Sequence, residues 1–150
     1  MNPTNFLALE DVLLAALEAE FVLPQGDRLV KVLSAADLNG VSEERQYTPA
    51  VHLVYQSYRV TEPRYDGKAT RIEQTWLAIV ATTNKANLRT GKAARSDAGA
   101  IAQRVLKALM GFKPPEVTKP LRLADAPAAG FNGGFQYLPL AFTAELVQGN

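Results

Sequence analysis

Residues able to react, or to hold an ion, are few and scattered along this chain. His52 is the only histidine. It falls inside a strand pattern, and no G-x-S-x-G elbow exists to place a serine beside it. One imidazole and dispersed carboxylates also fall short of a metal's ligand set. Thr90-Gly91-Lys92-Ala93 has the tail of a phosphate loop. The upstream glycine position is Ala86, however, and Ala93 stands where a Ser or Thr would bind Mg²⁺. Gly130-Phe131-Asn132-Gly133-Gly134 departs from the dinucleotide fingerprint and leads into a strand rather than a helix. Asp66 and Glu73 flank a hairpin in the manner of a metal-dependent nuclease pair, but Gln74-Thr75 follows Glu73 and no lysine sits beside it. Tyr47, Tyr55, Tyr58 and Tyr65 interleave with Arg45, Arg59 and Arg64. Stacking on bases and cross-strand packing of aromatic side chains both fit that pattern. No nucleophile, base and orienting group can be assembled from these residues. The sequence therefore predicts no catalytic residue, no cofactor and no metal.

The elements that would carry these residues can be read from hydrophobic spacing. Residues 3–20 predict a helix, with Asn2 and Pro3 as cap and first turn and Phe6, Leu9, Leu13 and Leu17 as its buried stripe. Pro24-Gln25-Gly26-Asp27 breaks the chain, and 28–34 reads as a short strand. Residues 35–48 read as a loop with a turn at Asn39-Gly40. Residues 49–61 predict a long strand, with Val51, Leu53 and Tyr55 on one face and His52, Val54, Gln56, Tyr58 and Val60 on the other. Asp66-Gly67 marks a hairpin. The return strand, 69–83, carries Ile72, Trp76, Ala78 and Val80 on one side and Leu77, Ile79 and Ala81 on the other. A strand apolar on both faces belongs in the middle of a sheet, covered by helices on one side and by something else, such as another subunit, on the other.

Residues 84–95 read as a long basic loop. A second helix is expected at about 96–110, capped by Ser96 or Asp97 and closed by Gly111. A short strand fits 119–126, a flexible connection fits 127–134, and a last strand fits 135–147. Pro139 argues for an edge or a bulge there. The expected fold is α+β: an antiparallel or mixed sheet of four to five strands with two helices packed on one face, forming a single domain over 1–150.

Composition agrees with a globular chain. Apolar residues make up 47% and charged residues 21% of 150, and a chain of this length buries about 68–70% of its unfolded surface. There is no cysteine, so no disulfide or thiolate chemistry is available, as suits a reducing cytosol. Met1-Asn2-Pro3-Thr4-Asn5 lacks the basic start of a secretory signal. No apolar run approaches the ~20 residues that span a bilayer, so a soluble protein without membrane contact is expected. The net charge of +1 is divided unevenly. Residues 1–27 hold Glu10, Asp11, Glu18, Glu20 and Asp27 and no Lys or Arg, whereas 85–122 is dominated by Lys and Arg. Such polarity suits head-to-tail assembly of identical subunits, a basic track for a phosphate backbone, or simply solvated faces.

Several local sequences, in this order and spacing, carry a resemblance. They are the N-terminal helix ending near Glu20, Thr48-Pro49-Ala50-Val51-His52-Leu53, and Gln74-Thr75-Trp76-Leu77-Ala78-Ile79-Val80. Asp97-Ala98-Gly99-Ala100 and Gly134-Phe135-Gln136-Tyr137-Leu138-Pro139-Leu140-Ala141-Phe142 complete the set. Together they resemble the tail terminator proteins of long-tailed bacteriophages, the Mu-like prophage group in particular, over nearly the whole chain.

The resemblance implies a structural virion protein rather than an enzyme. Its implied form is a hexameric ring that caps the tail tube, ends tube polymerisation and joins the tail to the head-side connector. Implied partners are copies of itself, the tail tube protein and the connector protein, with DNA close by in the lumen. The implied place is the head-proximal end of the tail, after assembly in the host cytoplasm. Interface residues expected on this basis are Glu10, Glu18, Glu43, Arg45, Tyr47, Arg64, Tyr65, Lys85, Arg89 and Lys92. The alternatives are another neck protein (a tail completion or connector subunit) and a small basic nucleic-acid-binding module using residues 85–122.

Overall fold

A computed structural model describes residues 5–22, 30–36, 49–83, 92–132 and 134–149, with side chains of the second helix described from Asp97 onward. The chain runs α1 (Leu9–Phe21), β1 (Lys31–Ser34), β2 (Ala50–Pro63), β3 (Ala69–Thr83), α2 (Lys92–Leu109), β4 (Arg122–Ala124), β5 (Gly130–Asn132) and β6 (Phe135–Gly149). The strands form one six-stranded sheet in the order β1-β2-β3-β6-β4, with β5 also paired to β6. β1 runs parallel to β2 and every other pairing is antiparallel. The architecture is α+β with a mixed sheet. The strand total exceeds the four to five expected because β5 forms inside 127–134, a stretch whose Gly and Ala content reads as a connection.

β3 is the middle strand, and its two apolar faces explain why. Ile72, Trp76, Ala78 and Val80 enter a core cluster with Leu9, Leu13 and Leu17 of α1 and Ala98, Ala102, Val105 and Leu109 of α2. α1 contacts β1 and β2, while α2 contacts β3 and β6. On the opposite face Leu77, Ile79 and Ala81 join Val54, Tyr137 and Ala141 in a smaller cluster drawn from strands alone.

Trp76 is almost fully buried. Its ring meets Tyr55 edge-on, with centroids 5.2 Å apart, and its indole N–H donates to Gln74 Oε1 at 3.1 Å. The Gln74 amide in turn donates to the Phe6 carbonyl at 2.8 Å. One buried glutamine thus ties the approach to α1 onto the central strand.

Several boundaries and faces depart from expectation for local reasons. α1 begins at Leu9, because Asn5 Oδ1 accepts the Leu7 N–H at 2.8 Å and holds 5–8 in a turn. The buried stripe consequently runs from Leu9 to Phe21, and Phe6 is 38% exposed. The expected cap at Asn2 and Pro3 lies outside the described residues. α2 begins at Lys92, earlier than expected. Ala93, Ala94 and Arg95 are strong helix formers and extend it toward its N-terminus.

A bulge between Tyr55 and Ser57 shifts the β2 register. Tyr58 then faces Gln74, and Val60 faces Ile72. Both therefore lie on the helix side, not on the side of His52 where strict alternation puts them. β6 is not an edge strand either. Pro139 pairs with Ile79 of β3, and on its outer side it falls between the stretches paired to β5 and to β4. A missing N–H on that outer side breaks no ladder bond.

Candidate functional site

The face of the sheet opposite α1 and α2, which carries no helix among the described residues, divides into an apolar half and a charged half. Beyond the apolar cluster, toward the β2–β3 hairpin, charged side chains cross the sheet in two rows. In one row Arg59 of β2 lies 3.0 Å from Glu73 of β3, and Arg122 of β4 lies 3.7 Å from the same carboxylate. In the other, Glu62 pairs with Arg71 at 2.8 Å. Arg71 also lies 3.4 Å from Glu145 of β6, and Lys119 lies 3.6 Å from it. The Thr118 hydroxyl donates to Glu145 as well. That hydrogen bond, with Lys119 and Arg71, holds the Glu145 carboxyl below its ordinary range although burial pushes it up. This arrangement neutralises itself. It offers neither a raised carboxylate for proton transfer nor an open set of ligands.

The residues considered for chemistry are dispersed. His52 is buried opposite Ile79 within the sheet. Asp66 sits in the hairpin turn and pairs with Arg64, away from Glu73, which is held by Arg59 and Arg122. Among the described residues no group of three His, Cys, Asp or Glu side chains could hold a metal. No helix among them is long and apolar enough to cross a membrane. The basic stretch is partly consumed within the molecule. Arg104 lies 3.2 Å and Lys107 3.8 Å from Glu20, and Arg104 also covers the Phe21 ring. Some of the acidic–basic polarity of the sequence is therefore an internal clasp between α1 and α2.

The surfaces left over are rims and a tip. At the hairpin tip Arg64 reaches Asp66 at 2.8 Å, and Tyr65 is fully exposed. Gly67, at φ +73°, takes the left-handed turn position. β1 covers β2 only as far as Leu53, leaving Val54–Pro63 without a strand on the outer side among the described residues. Above that open edge, on the helix side, sit Tyr58, Val60 and Phe6, with the Phe6 and Tyr58 rings edge-on at 5.3 Å. At the other end of the sheet β4 is the last strand. Its Leu123, 46% exposed, lies near Met110, 54% exposed, beside a shallow hollow of about 590 Å³ that Gly111, Pro120 and Leu121 also line.

The residues expected at an interface are only partly assembled. Arg64 and Tyr65 share the hairpin tip. Glu10 and Glu18 are half-buried on α1, and Glu10 accepts a hydrogen bond from Ser34 at 2.6 Å that fastens the helix to the end of β1. Lys92 is the first residue of α2. Glu43, Arg45, Tyr47, Lys85 and Arg89 lie outside the described residues. The rims at Tyr58–Val60 and Met110–Leu123 were not singled out by sequence. A bulge hides the first from an alternation rule, and the second joins residues from a helix end and a short strand.

No curated protein matches the sequence significantly. The family model described as "Phage tail terminator protein" matches residues 9–149, from the first residue of α1 to the last residue of β6. That span covers every helix and strand among the described residues, so the chain belongs to the phage tail terminator family, a family of structural proteins of the phage tail.

Proposed function

We propose that this protein closes into a hexameric ring on the completed tail tube, stops further tube growth, and presents the surface on which the head-side connector docks. The observation that carries the reading is the open sheet of a tail terminator chain. Its outermost strands, β2 beyond Leu53 at one end and β4 at the other, both keep a free side among the described residues. Two different free edges on one chain suit a heterologous contact, and such a contact closes into a ring when its rotation divides a full turn. The exposed hairpin tip with Arg64 and Tyr65 suits contact with the tube or the connector. DNA passes through the lumen on this reading. Subunits assemble in the host cytoplasm and end at the head-proximal end of the tail.

Negative-stain images of the purified protein test the ring directly, and adding the protein to a growing tube tests the cap. Rings, and tubes that stop lengthening, are expected. A monomer at high concentration that leaves tube growth unchanged would overturn the reading. The internal pairing of Arg104, Lys107, Lys119 and Arg122 with carboxylates weighs against the nucleic-acid module.

A further inference from the structure

We infer that the joint between neighbouring copies in the ring runs from the β2 edge of one subunit to the β4 edge of the next, with the Phe6–Tyr58–Val60 rim of the first seated against the Met110–Leu123 rim of the second. The inference rests on the ring reading and specifies its interface.

Face matching is the first ground. Tyr58 and Val60 lie on the helix side of the sheet, because the bulge after Tyr55 places them opposite Gln74 and Ile72. Leu123 lies on the same side, opposite the buried Phe142. A sheet continued around a ring keeps its helix side facing one way, so two helix-side rims at opposite edges become neighbours across the joint. Rims on opposite faces could not meet in this way.

The second ground is shape and composition. The Phe6–Tyr58 pair and Val60 project at an edge whose backbone has no strand partner among the described residues. The β4 edge carries the hollow between Met110, Pro120, Leu121 and Leu123. Aromatic anchors entering a pocket are the usual centre of an interface, and free strand edges are where backbone pairing extends it.

Charge agrees with this direction. The β2 edge lies on the side of α1, which carries Glu10, Asp11 and Glu18 and, over 5–22, no Lys or Arg. The β4 edge is flanked by exposed Lys113 and by Lys119 and Arg122, whose charges are shared with Glu145 and Glu73 of the same subunit. The β2 edge itself carries Arg59 beside Glu62, so the acidic character on that side comes from α1. Head-to-tail pairing sets acid on base.

The absence of native cysteine gives a clean test. Val60→Cys and Leu123→Cys are made separately, since both positions are exposed and tolerate a small side chain. Each is treated with a short bis-maleimide alone and after mixing, and the Val60→Cys/Leu123→Cys double variant is treated in parallel. Cross-linked dimers are expected only in the mixture, with the double variant giving a ladder that ends at the subunit number of the ring. A Val60→Asp variant with an unchanged circular dichroism spectrum should lose ring assembly by about tenfold or more, as a charge in an interface core demands. Rings by electron microscopy with no cross-link in the mixture would overturn this joint while leaving the ring standing. So would self-cross-linking of Val60→Cys, or wild-type assembly by Val60→Asp. A wild-type protein that stays monomeric would overturn both readings.

Discussion

Replacing Gln74 with Leu tests the link between the central strand and the approach to α1. Gln74 is fully buried, and its side-chain amide uses both ends. The oxygen accepts from the Trp76 indole at 3.1 Å and the nitrogen donates to the Phe6 carbonyl at 2.8 Å. Leu preserves much of the volume and removes both partners. The Phe6 carbonyl sits at a partly exposed position and can turn to water. The Trp76 N–H is buried and cannot. Leaving one buried donor unpaired costs about 1–3 kcal/mol, which the apolar gain of Leu offsets only in part. For a chain near this length each kcal/mol moves the midpoint by about 2–4 °C.

Trp76 is the only tryptophan, so its fluorescence reports unfolding without a label. Denaturant titrations should be run at one fixed protein concentration, because assembly makes stability depend on concentration. The Gln74→Leu/Trp76→Phe double variant, followed by circular dichroism, closes the cycle. It should be more stable than the sum of the single effects predicts, since the orphaned donor is gone. Wild-type stability in Gln74→Leu, or strict additivity in the cycle, would refute the reasoning. The same variant should weaken assembly, because the lost bond is what holds Phe6 against Tyr58.

Glu145 gives a pH dependence of definite sign. Its folded-state carboxyl is held below the ordinary value, chiefly by the Thr118 hydroxyl, so its contribution is present above the ordinary carboxylate range. That contribution is lost as pH falls through the lowered folded value. Melting temperatures measured from pH 6 downward should fall in the wild type and fall less steeply in Glu145→Gln. Two glycines should respond oppositely to alanine although neither faces a clash. Gly99→Ala, inside α2, should stabilise by about 0.5–1 kcal/mol. Gly111→Ala, at φ +81° just past the helix, should destabilise by about 1 kcal/mol. Tyr137 buries its hydroxyl without a hydrogen-bond partner among the described residues. Tyr137→Phe should therefore raise stability by about 1–3 kcal/mol in chemical denaturation, and a loss of stability would show that the hydroxyl has a partner.

Legibility of the fold in the sequence followed periodicity. β3 can be assigned to its residue, 69–83, and each face named, because Trp76-Ala78-Val80 and Leu77-Ile79-Ala81 are both apolar runs at a two-residue step, with Ile72 extending the first beyond Gln74. The stop of α2 was equally plain, since Gly111, Phe112 and Pro114 each end a helix in their own way. Strict alternation puts Tyr58 and Val60 on the wrong face, because a bulge adds a residue without leaving a composition signal. β5 is not legible because Gly130 and Asn132 disfavour a strand around the single Phe131, and pairing to β6 holds the segment extended. The apolar rims were illegible for a related reason. Met110 and Leu123 are far apart in any periodic window and meet only where the chain after α2 returns to the sheet, through the Gly111 N–H to the Leu121 carbonyl and the Leu121 N–H to the Phe112 carbonyl.

The charged half of the face opposite α1 and α2 sets a condition on the register of the whole sheet. Glu73 and Glu145 are direct cross-strand partners, and like charges placed opposite each other destabilise a sheet. The pairing is tolerable because each carboxylate has cations drawn from other elements. Arg59 reaches Glu73 from β2 on one flank and Arg122 from β4 on the other, on the same face, while Arg71 and Lys119 reach Glu145. Exposed ion pairs taken singly are worth about 0–1 kcal/mol. Here they act together against a repulsion that appears only in the native register. Slipping β6 by one residue against β3 would carry Glu145 to the apolar helix side and leave Arg71 and Lys119 without it. The second bulge of β2, between Val60 and Glu62, has a matching role, since it returns Glu62 to the side of Arg71 after the first bulge carried Tyr58 and Val60 away. The two bulges thus allow one strand to put aromatic and aliphatic side chains on the helix-side rim and charges on the opposite face within a few residues. That local division is what leaves the β2 edge apolar on the side proposed to meet another subunit.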